Sequence, residues 1–236
     1  MIQFYAPDIA DALILPEDDA KHCLRVLRKT IGDIVEVVDG KGSRYKCRLM
    51  SDNPRKAAVE IVESVVVPPT WDTDITIAVA PTKNMDRMEW LVEKLTEIGV
   101  NRIVPLLCRH SERKEIKVDR LQRIAISAMK QSLKATLPDI YPMTPIKKAI
   151  AELKADAGFI AYCDPSIPRI LLARAYKAQM RSCVILIGPE GDFDSDEIRL
   201  AIDNGYSPIS LGDSRLRTET AALCACDTIH IINQLS

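Results

Sequence analysis

The sequence predicts an α/β chain of two parts: a small β-barrel-like module over residues 1–70 and an α/β domain with a largely parallel sheet over residues 71–236. Three observations predict it. Short strand-like runs crowd the first part, with one helical stretch among them. The dipeptide Pro68-Pro69, which cannot extend a hydrogen-bonded ladder, marks a break. Beyond it, nearly continuous apolar strands alternate with helical segments, the pattern of strands covered on both faces.

In the first part the strands are Ile2–Tyr5, Ile34–Asp39, Tyr45–Leu49 and Ala57–Val67. The valine-rich stretch Val62 to Val67 and the turn Asp39-Gly40-Lys41-Gly42 support them. A helix is predicted over Asp18–Leu27, where Ala20, Cys23, Leu24 and Leu27 recur at helical spacing. In the second part Ile75–Ala80 is a strand. Asn84–Ile98 is a helix with Met85, Met88, Leu91, Val92, Leu95 and Ile98 on one face, stopped by Gly99. A strand Ile103–Leu107, a helix Asp119–Leu133, a strand Phe159–Tyr162 and a helix Pro168–Ala178 follow. Val184–Ile187 is a buried strand, and Ser195–Asn204 a helix with Asp194 and Glu197 in capping-box spacing. The strand Pro208–Leu211 and the helix Glu219–Leu235 complete the order.

Composition narrows the function classes. No apolar run approaches the roughly 18 residues of a membrane helix, and no basic region followed by an apolar core suggests a signal peptide. The seven cysteines, at 23, 47, 108, 163, 183, 224 and 226, lack the spacing of a disulfide framework or zinc site, so reduced thiols in a cytoplasmic protein are expected. The net charge of −1 hides segregation. Residues 21–56 carry ten Lys/Arg against four Asp/Glu, and residues 101–148 carry eleven against four. Residues 151–236 carry eight against twelve. Two basic zones on a near-neutral chain suggest a polyanionic partner.

Ligands of parallel α/β sheets sit beyond the carboxyl ends of strands. Two such ends are unusual here. Ile187-Gly188-Pro189-Glu190-Gly191-Asp192-Phe193 sets two glycines around a proline, which turns the backbone sharply and bares its N–H and C=O groups. Leu211-Gly212-Asp213-Ser214-Arg215-Leu216-Arg217-Thr218-Glu219-Thr220-Ala221 carries two arginines in a loop, with Thr218 expected to cap the last helix. Neither segment matches a P-loop, a dinucleotide fingerprint or a zinc deaminase pattern. The histidines at 22, 110 and 230 form no hydrolase arrangement. Alone, the first loop reads sooner as a tight connection into the following helix, and the second reads also as a capped loop with surface arginines.

Together the two segments resemble the C-terminal signatures of the SPOUT superfamily, whose members carry a deep trefoil knot. More narrowly, the chain resembles the 16S ribosomal RNA uracil-N3 methyltransferase family. Three further stretches agree in order: His22-Cys23-Leu24-Arg25-Val26-Leu27-Arg28 with Gly32-Asp33, Lys83 through Val100, and Gln131-Ser132 before Pro138. There are departures. Family members usually have a glycine where Asp192 stands, and an arginine near the position of Lys134.

The resemblance implies a PUA-like RNA-binding β-barrel followed by a SPOUT-type knotted methyltransferase domain. It implies S-adenosylmethionine as methyl donor with no metal, 16S rRNA or the small ribosomal subunit as partner, and no membrane. It also implies a homodimer with its active site at or near the subunit interface. The donor would be held by Ile187, Gly188, Pro189, Glu190, Gly191, Leu211, Gly212, Leu216, Arg217, Thr218 and Ala221. For the chemistry, Arg217 would stabilise charge on the uracil oxygens, with Arg215 second, while Glu219 or Glu190 would accept the proton. RNA contacts would fall to Lys21, Arg25 and Arg28, then Lys83, Arg87, Lys94 and Arg215. Arg87 and Lys94 fit ion pairs with Glu93 and Glu97 equally well. A SPOUT enzyme methylating a ribose 2′-hydroxyl of tRNA or rRNA is the nearest alternative, and the His22 to Arg28 stretch argues against it. A non-catalytic RNA-binding or ribosome-assembly protein is the second.

Overall fold

A computed structural model describes residues 2–69, 72–163 and 168–236. It divides into two compact units, Met1–Thr70 with Ile126–Leu137, and Trp71–Ala125 with Pro138–Ser236. The domain boundary expected between residues 70 and 71 lies outside the described residues. A linear boundary also leaves out the return of Ile126–Leu137 to the first unit.

The first unit runs β1 (Gln3–Tyr5), α1 (Ile9–Ala12), β2 (Ile14–Leu15), α2 (Glu17–Lys21), β3 (Ile34–Val38), β4 (Ser43–Leu49) and β5 (Ala57–Val66). Its sheet has the order β1-β3-β4-β5-β2; β1 joins β3 in parallel and the other pairs are antiparallel. The alternation along β4 buries Tyr45, Cys47 and Leu49 and exposes Lys46 and Arg48, which pair with Glu63 and Glu60 on β5. Phe4, Ile9, Leu15, Cys23, Val35 and Val37 complete the core. The expected helix Asp18–Leu27 is shorter as an α-helix. After Lys21 the chain widens into a π-helical turn over His22–Val26, closed by the Leu27 N–H on the His22 carbonyl at 3.0 Å. This presents Arg25 and Arg28 to solvent and leaves Val26 67% exposed.

Residues 126–137 are stitched to this unit by main-chain bonds. Gly42 N–H donates to the Ala135 carbonyl at 3.0 Å, and Leu137 N–H to the Gly40 carbonyl at 2.9 Å. Met129 and Ala135 pack with Val38, and Lys130 pairs with the buried Asp19, whose other oxygen accepts the Tyr5 N–H at 2.9 Å. Arg44 donates to the Leu133 carbonyl at 2.8 Å.

The second unit begins β6 (Asp74–Val79), α3 (Met85–Ile98), β7 (Arg102–Leu107) and α4 (Val118–Gln131), whose last turns are those counted with the first unit. It continues β8 (Asp139–Ile140), β9 (Thr144–Pro145), α5 (Ile146–Glu152), β10 (Ala157–Ala161), β11 (Ile170–Leu171) and α6 (Leu172–Ala175). The chain ends β12 (Ser182–Ile187), α7 (Ser195–Asp203), β13 (Tyr206–Ser210) and α8 (Thr218–Gln234). Every described strand pair of the sheet is parallel, in the order β11-β13-β10-β12-β6-β7-β8, with β9 on β7. Ala78, Val104, Leu106, Ile160, Val184 and Leu186 pack with α5 and α7 on one face. α8 lies against β6, β12 and α3. The α/β class and the largely parallel sheet of the second unit are as the sequence predicts.

Local signals read well where caps are strong. Asn84 caps α3 by accepting the Asp86 N–H at 2.9 Å, and Gly99 ends it in the left-handed conformation. The capping box of Asp194 and Glu197 is present at α7. The predicted helix Pro168–Ala178 shrinks to the single turn Leu172–Ala175, because Ile170 and Leu171 pair with β13. α5 lies in a stretch given no element; Ile146, Ala149 and Ile150 mark its buried face, but over seven residues only. No helix among the described residues is long and apolar enough to cross a membrane.

Candidate functional site

Strands β13, β10 and β12 are neighbours in the sheet, and all three hand over to loops at the same end. Between the loops lies a cavity of about 450 Å³. One wall is Ala161 to Cys163 with Arg169, a second is Ile187 to Asp192, and the third runs from Ile209 through Thr218 to Ala221. Ile187, Gly188, Pro189, Glu190, Gly191, Leu211, Gly212, Leu216, Arg217, Thr218 and Ala221 all line it. The two loops singled out from sequence therefore face one space.

The second wall is glycine-rich for a steric reason. A Cβ on Gly188 would stand 3.1 Å from the Phe193 ring, and one on Gly191 would stand 3.2 Å from His110 Cβ. The Asp192 N–H closes a turn onto the Pro189 carbonyl at 2.9 Å. Asp192 itself has φ +64, a conformation that glycine takes freely and other residues rarely. Its carboxylate accepts the Cys163 N–H at 2.7 Å and the Phe193 N–H at 2.8 Å. The Asp192 carbonyl accepts from His110 Nδ1 at 3.1 Å, which puts a ring proton on that nitrogen. Behind the loop, the Asp196 N–H, then Arg109 and His110, hold the Asp194 carboxyl below the usual carboxylate range.

The second and third walls are joined by one buried hydrogen bond, from the Thr218 hydroxyl to the Gly188 carbonyl at 3.1 Å. This corrects the expectation for Thr218. It is the first residue of α8, not its cap; Arg217 holds the cap position with extended backbone and no side-chain bond. The hydroxyl gives its proton to a carbonyl of the other loop, which ties that loop to the start of the helix.

The charged candidates separate. Arg217, Arg215 and Glu190 line the cavity and are exposed, and Glu190 Oε1 accepts the Lys83 N–H at 3.0 Å. Glu219 does not line it. Its buried side chain points to α3, with Oε1 3.7 Å from Arg87 Nε and Oε2 without a hydrogen-bond partner among the described residues. Of the residues expected to meet RNA, Lys94 pairs with Glu93 and Glu97, Lys83 with Glu112, and Lys21 with Glu17. Arg87 is taken by Glu219 and not by the helix neighbours the sequence suggested. Arg25 and Arg28 are exposed in the first unit. The sequence reading missed the wall at the end of β10, with Tyr162, Cys163 and Arg169, and gave no role to Asp192, Ser210 or Ser214. The strand ending at Tyr162 was itself predicted, and the rule that ligands gather at strand carboxyl ends pointed there too. Among the described residues no group of three His, Cys, Asp or Glu is placed to hold a metal ion.

A model of the RNA methyltransferase domain matches residues 69–230, and one of the RNA methyltransferase PUA domain matches residues 15–62. A crystal structure of a probable rRNA-methyltransferase from Porphyromonas gingivalis is 45% identical with a TM-score of 0.95, covering 100% of this chain and 99% of that one. A ribosomal RNA small subunit methyltransferase E from Neisseria gonorrhoeae, solved bound to S-adenosyl methionine, is 26% identical with a TM-score of 0.86, covering 98% of each chain. The protein of the same name from Aquifex aeolicus is 29% identical over 217 residues, 89% of this chain and 90% of the relative.

The bond between Thr218 and Gly188 gives a direct test. Thr218→Val leaves a buried carbonyl without its donor and should lower stability by about 1–3 kcal/mol in urea titration. Thr218→Ser, which keeps the hydroxyl, should lose less than half as much. Equal losses for the two variants would show that the methyl, and not the hydrogen bond, holds the loops.

Proposed function

The chain belongs to the RNA methyltransferase domain family, and on that premise we propose that it transfers a methyl group from S-adenosylmethionine to N3 of a specific uridine in 16S ribosomal RNA, in the cytoplasm. The observation that carries this reading is the cavity itself. Two backbone-rich loops at the carboxyl ends of β12 and β13 enclose about 450 Å³, within the range of small-molecule sites, with Arg217 at its edge. The relative from Neisseria gonorrhoeae, named as bound to S-adenosyl methionine, supports the donor. The relatives named for small-subunit ribosomal RNA support the acceptor. The cavity residues fit a nucleoside-sized ligand: main-chain groups around Gly188 and Gly212 offer hydrogen bonds, and Ile187, Leu211, Leu216 and Ala221 offer apolar surface.

S-adenosylmethionine supplies an electrophilic methyl group on a sulfonium. The protein's own part is to place the uracil in line with it and to manage the N3 proton. N3 attacks well only as that proton leaves, and the charge then spreads to the flanking carbonyl oxygens. Arg217, exposed at the cavity edge and making no ion pair among the described residues, is placed to meet it. Glu190, lining the same cavity, is the better candidate for the proton than Glu219, whose carboxylate is turned to Arg87. RNA would be positioned by Arg25 and Arg28, exposed on the π-helical turn of the first unit.

We extend the proposal to a homodimer. Trp90 on α3 is 42% exposed, Ile231 on α8 is 47% exposed and Leu235, just past the end of α8, is 82% exposed, an apolar set on two helices that pack together. Light scattering should give twice the chain mass of 26.3 kDa; a mass of one chain at micromolar concentration would contradict it.

The chemistry is tested at Arg217. Wild-type protein with small-subunit RNA and the donor should yield 3-methyluridine in nucleoside mass spectrometry; a ribose-methylated product would replace this reading with the 2′-hydroxyl one. Arg217→Ala should lower kcat by about 10²–10³ with donor affinity nearly unchanged. Arg217→Lys should recover little, because an ammonium cannot reproduce a planar fork of donors. A wild-type rate at saturating substrates in Arg217→Ala would remove it from the chemistry.

A further inference from the structure

Two charged side chains of the cavity lining, Asp192 and Arg169, stand apart from the methyl-transfer chemistry proposed for Arg217 and Glu190. Asp192 and Arg169 are anchored to consecutive residues where the chain leaves β10. Asp192 takes the Cys163 N–H on one carboxylate oxygen and the Phe193 N–H on the other. Arg169 donates to the Tyr162 carbonyl, and its guanidinium lies over the Tyr162 ring, 5.6 Å from the centroid. Both are partly buried, whereas Glu190, Arg215 and Arg217 are exposed. Two walls of the cavity thus carry one fixed negative and one fixed positive charge, held by backbone and ring contacts to consecutive residues at the end of β10.

Among the described residues neither group is saturated. A carboxylate offers about four acceptor positions, and two are used. A guanidinium has five N–H donors, and one bond to the Tyr162 carbonyl leaves most of them. Asp192 also holds a left-handed backbone conformation that costs a non-glycine residue energy, so its side chain sits there against local preference. A ligand that suits fixed charges of both signs anchored to consecutive residues is an α-amino-acid zwitterion, with ammonium and carboxylate on a single carbon. The proposed methyl donor ends in that group.

We propose that Asp192 and Arg169 form the subsite for the zwitterionic amino-acid end of the donor, Asp192 receiving the ammonium and Arg169 the carboxylate. This rests on the donor reading given above. It assigns the side of the cavity where Asp192 meets the end of β10 to the amino-acid end and leaves the surroundings of Gly188 and Gly212 to the nucleoside.

The test uses two ligands that differ in that end: S-adenosylhomocysteine, which has it, and 5′-methylthioadenosine, which lacks it. Calorimetry on the full chain should give the wild type at least about tenfold tighter binding of the first, as expected for added charge-assisted hydrogen bonds. Asp192→Asn keeps the size and tolerates the left-handed backbone, and Arg169→Gln keeps a donor without the charge. Each should lose about tenfold for S-adenosylhomocysteine and less than about twofold for 5′-methylthioadenosine. Equal weakening of both ligands would make these residues braces of the wall and overturn the subsite, as would unchanged binding of both. Equal affinity of the wild type for the two ligands would overturn the subsite alone. A folded wild type, by melting curve, that binds neither would bring down the donor reading itself.

Discussion

The hydrogen bond from the Thr218 hydroxyl to the Gly188 carbonyl joins two loops that lie 30 residues apart in sequence and leave neighbouring regions of one parallel sheet. A buried carbonyl must find a donor, and the donor here is the first residue of the last helix. That choice fixes where α8 begins, and so which of its residues meet the cavity. Asp192 makes the corresponding link on the other side, from the same glycine loop to Cys163. One loop is therefore tied to both of its neighbours, and the space between the three is set by those two bonds.

The start of α8 then sorts its side chains by helical period. Thr218 and Ala221 are three residues apart, share a face and line the cavity. Glu219, one position on from Thr218, is rotated by about 100° and is buried towards Arg87. Arg217 precedes the helix with extended backbone, which directs it to the cavity edge despite lying only two residues from Glu219. The division between a charge available to substrate and a charge locked to α3 follows from backbone geometry alone. It also pairs Arg87, which its sequence position suggested for RNA, with Glu219.

Much of this was legible in the sequence for identifiable reasons. The apolar runs of β6 and β12 are buried on both faces, and Asn84, Gly99 and the pair Asp194 and Glu197 are strong local signals at helix ends. The two loops were visible as a pair, since each alone also reads as an ordinary connection into a helix. What escaped depends on partners distant in sequence. The Thr218 hydroxyl was read as a cap because nothing local reveals the Gly188 carbonyl. Ile170 and Leu171 were read as helix because their pairing with Ile209 and Ser210 is a tertiary event. The return of residues 126–137 to the first unit rests on main-chain bonds to Gly40 and Gly42, which leave no mark on side-chain periodicity. Asp192 occupied a position better suited to glycine, and only the structure shows the two N–H groups that hold it there.

The central claim is that the space between the two joined loops is the donor site, and filling it tests that most directly. Ala221 lies on the cavity-facing side of α8, where a larger residue meets no backbone strain. S-adenosylhomocysteine titrated into the wild type should show one site per chain, and Ala221→Trp should abolish the heat while leaving the melting temperature within a few degrees. Retained binding in folded Ala221→Trp at wild-type affinity would place the donor elsewhere and contradict the account.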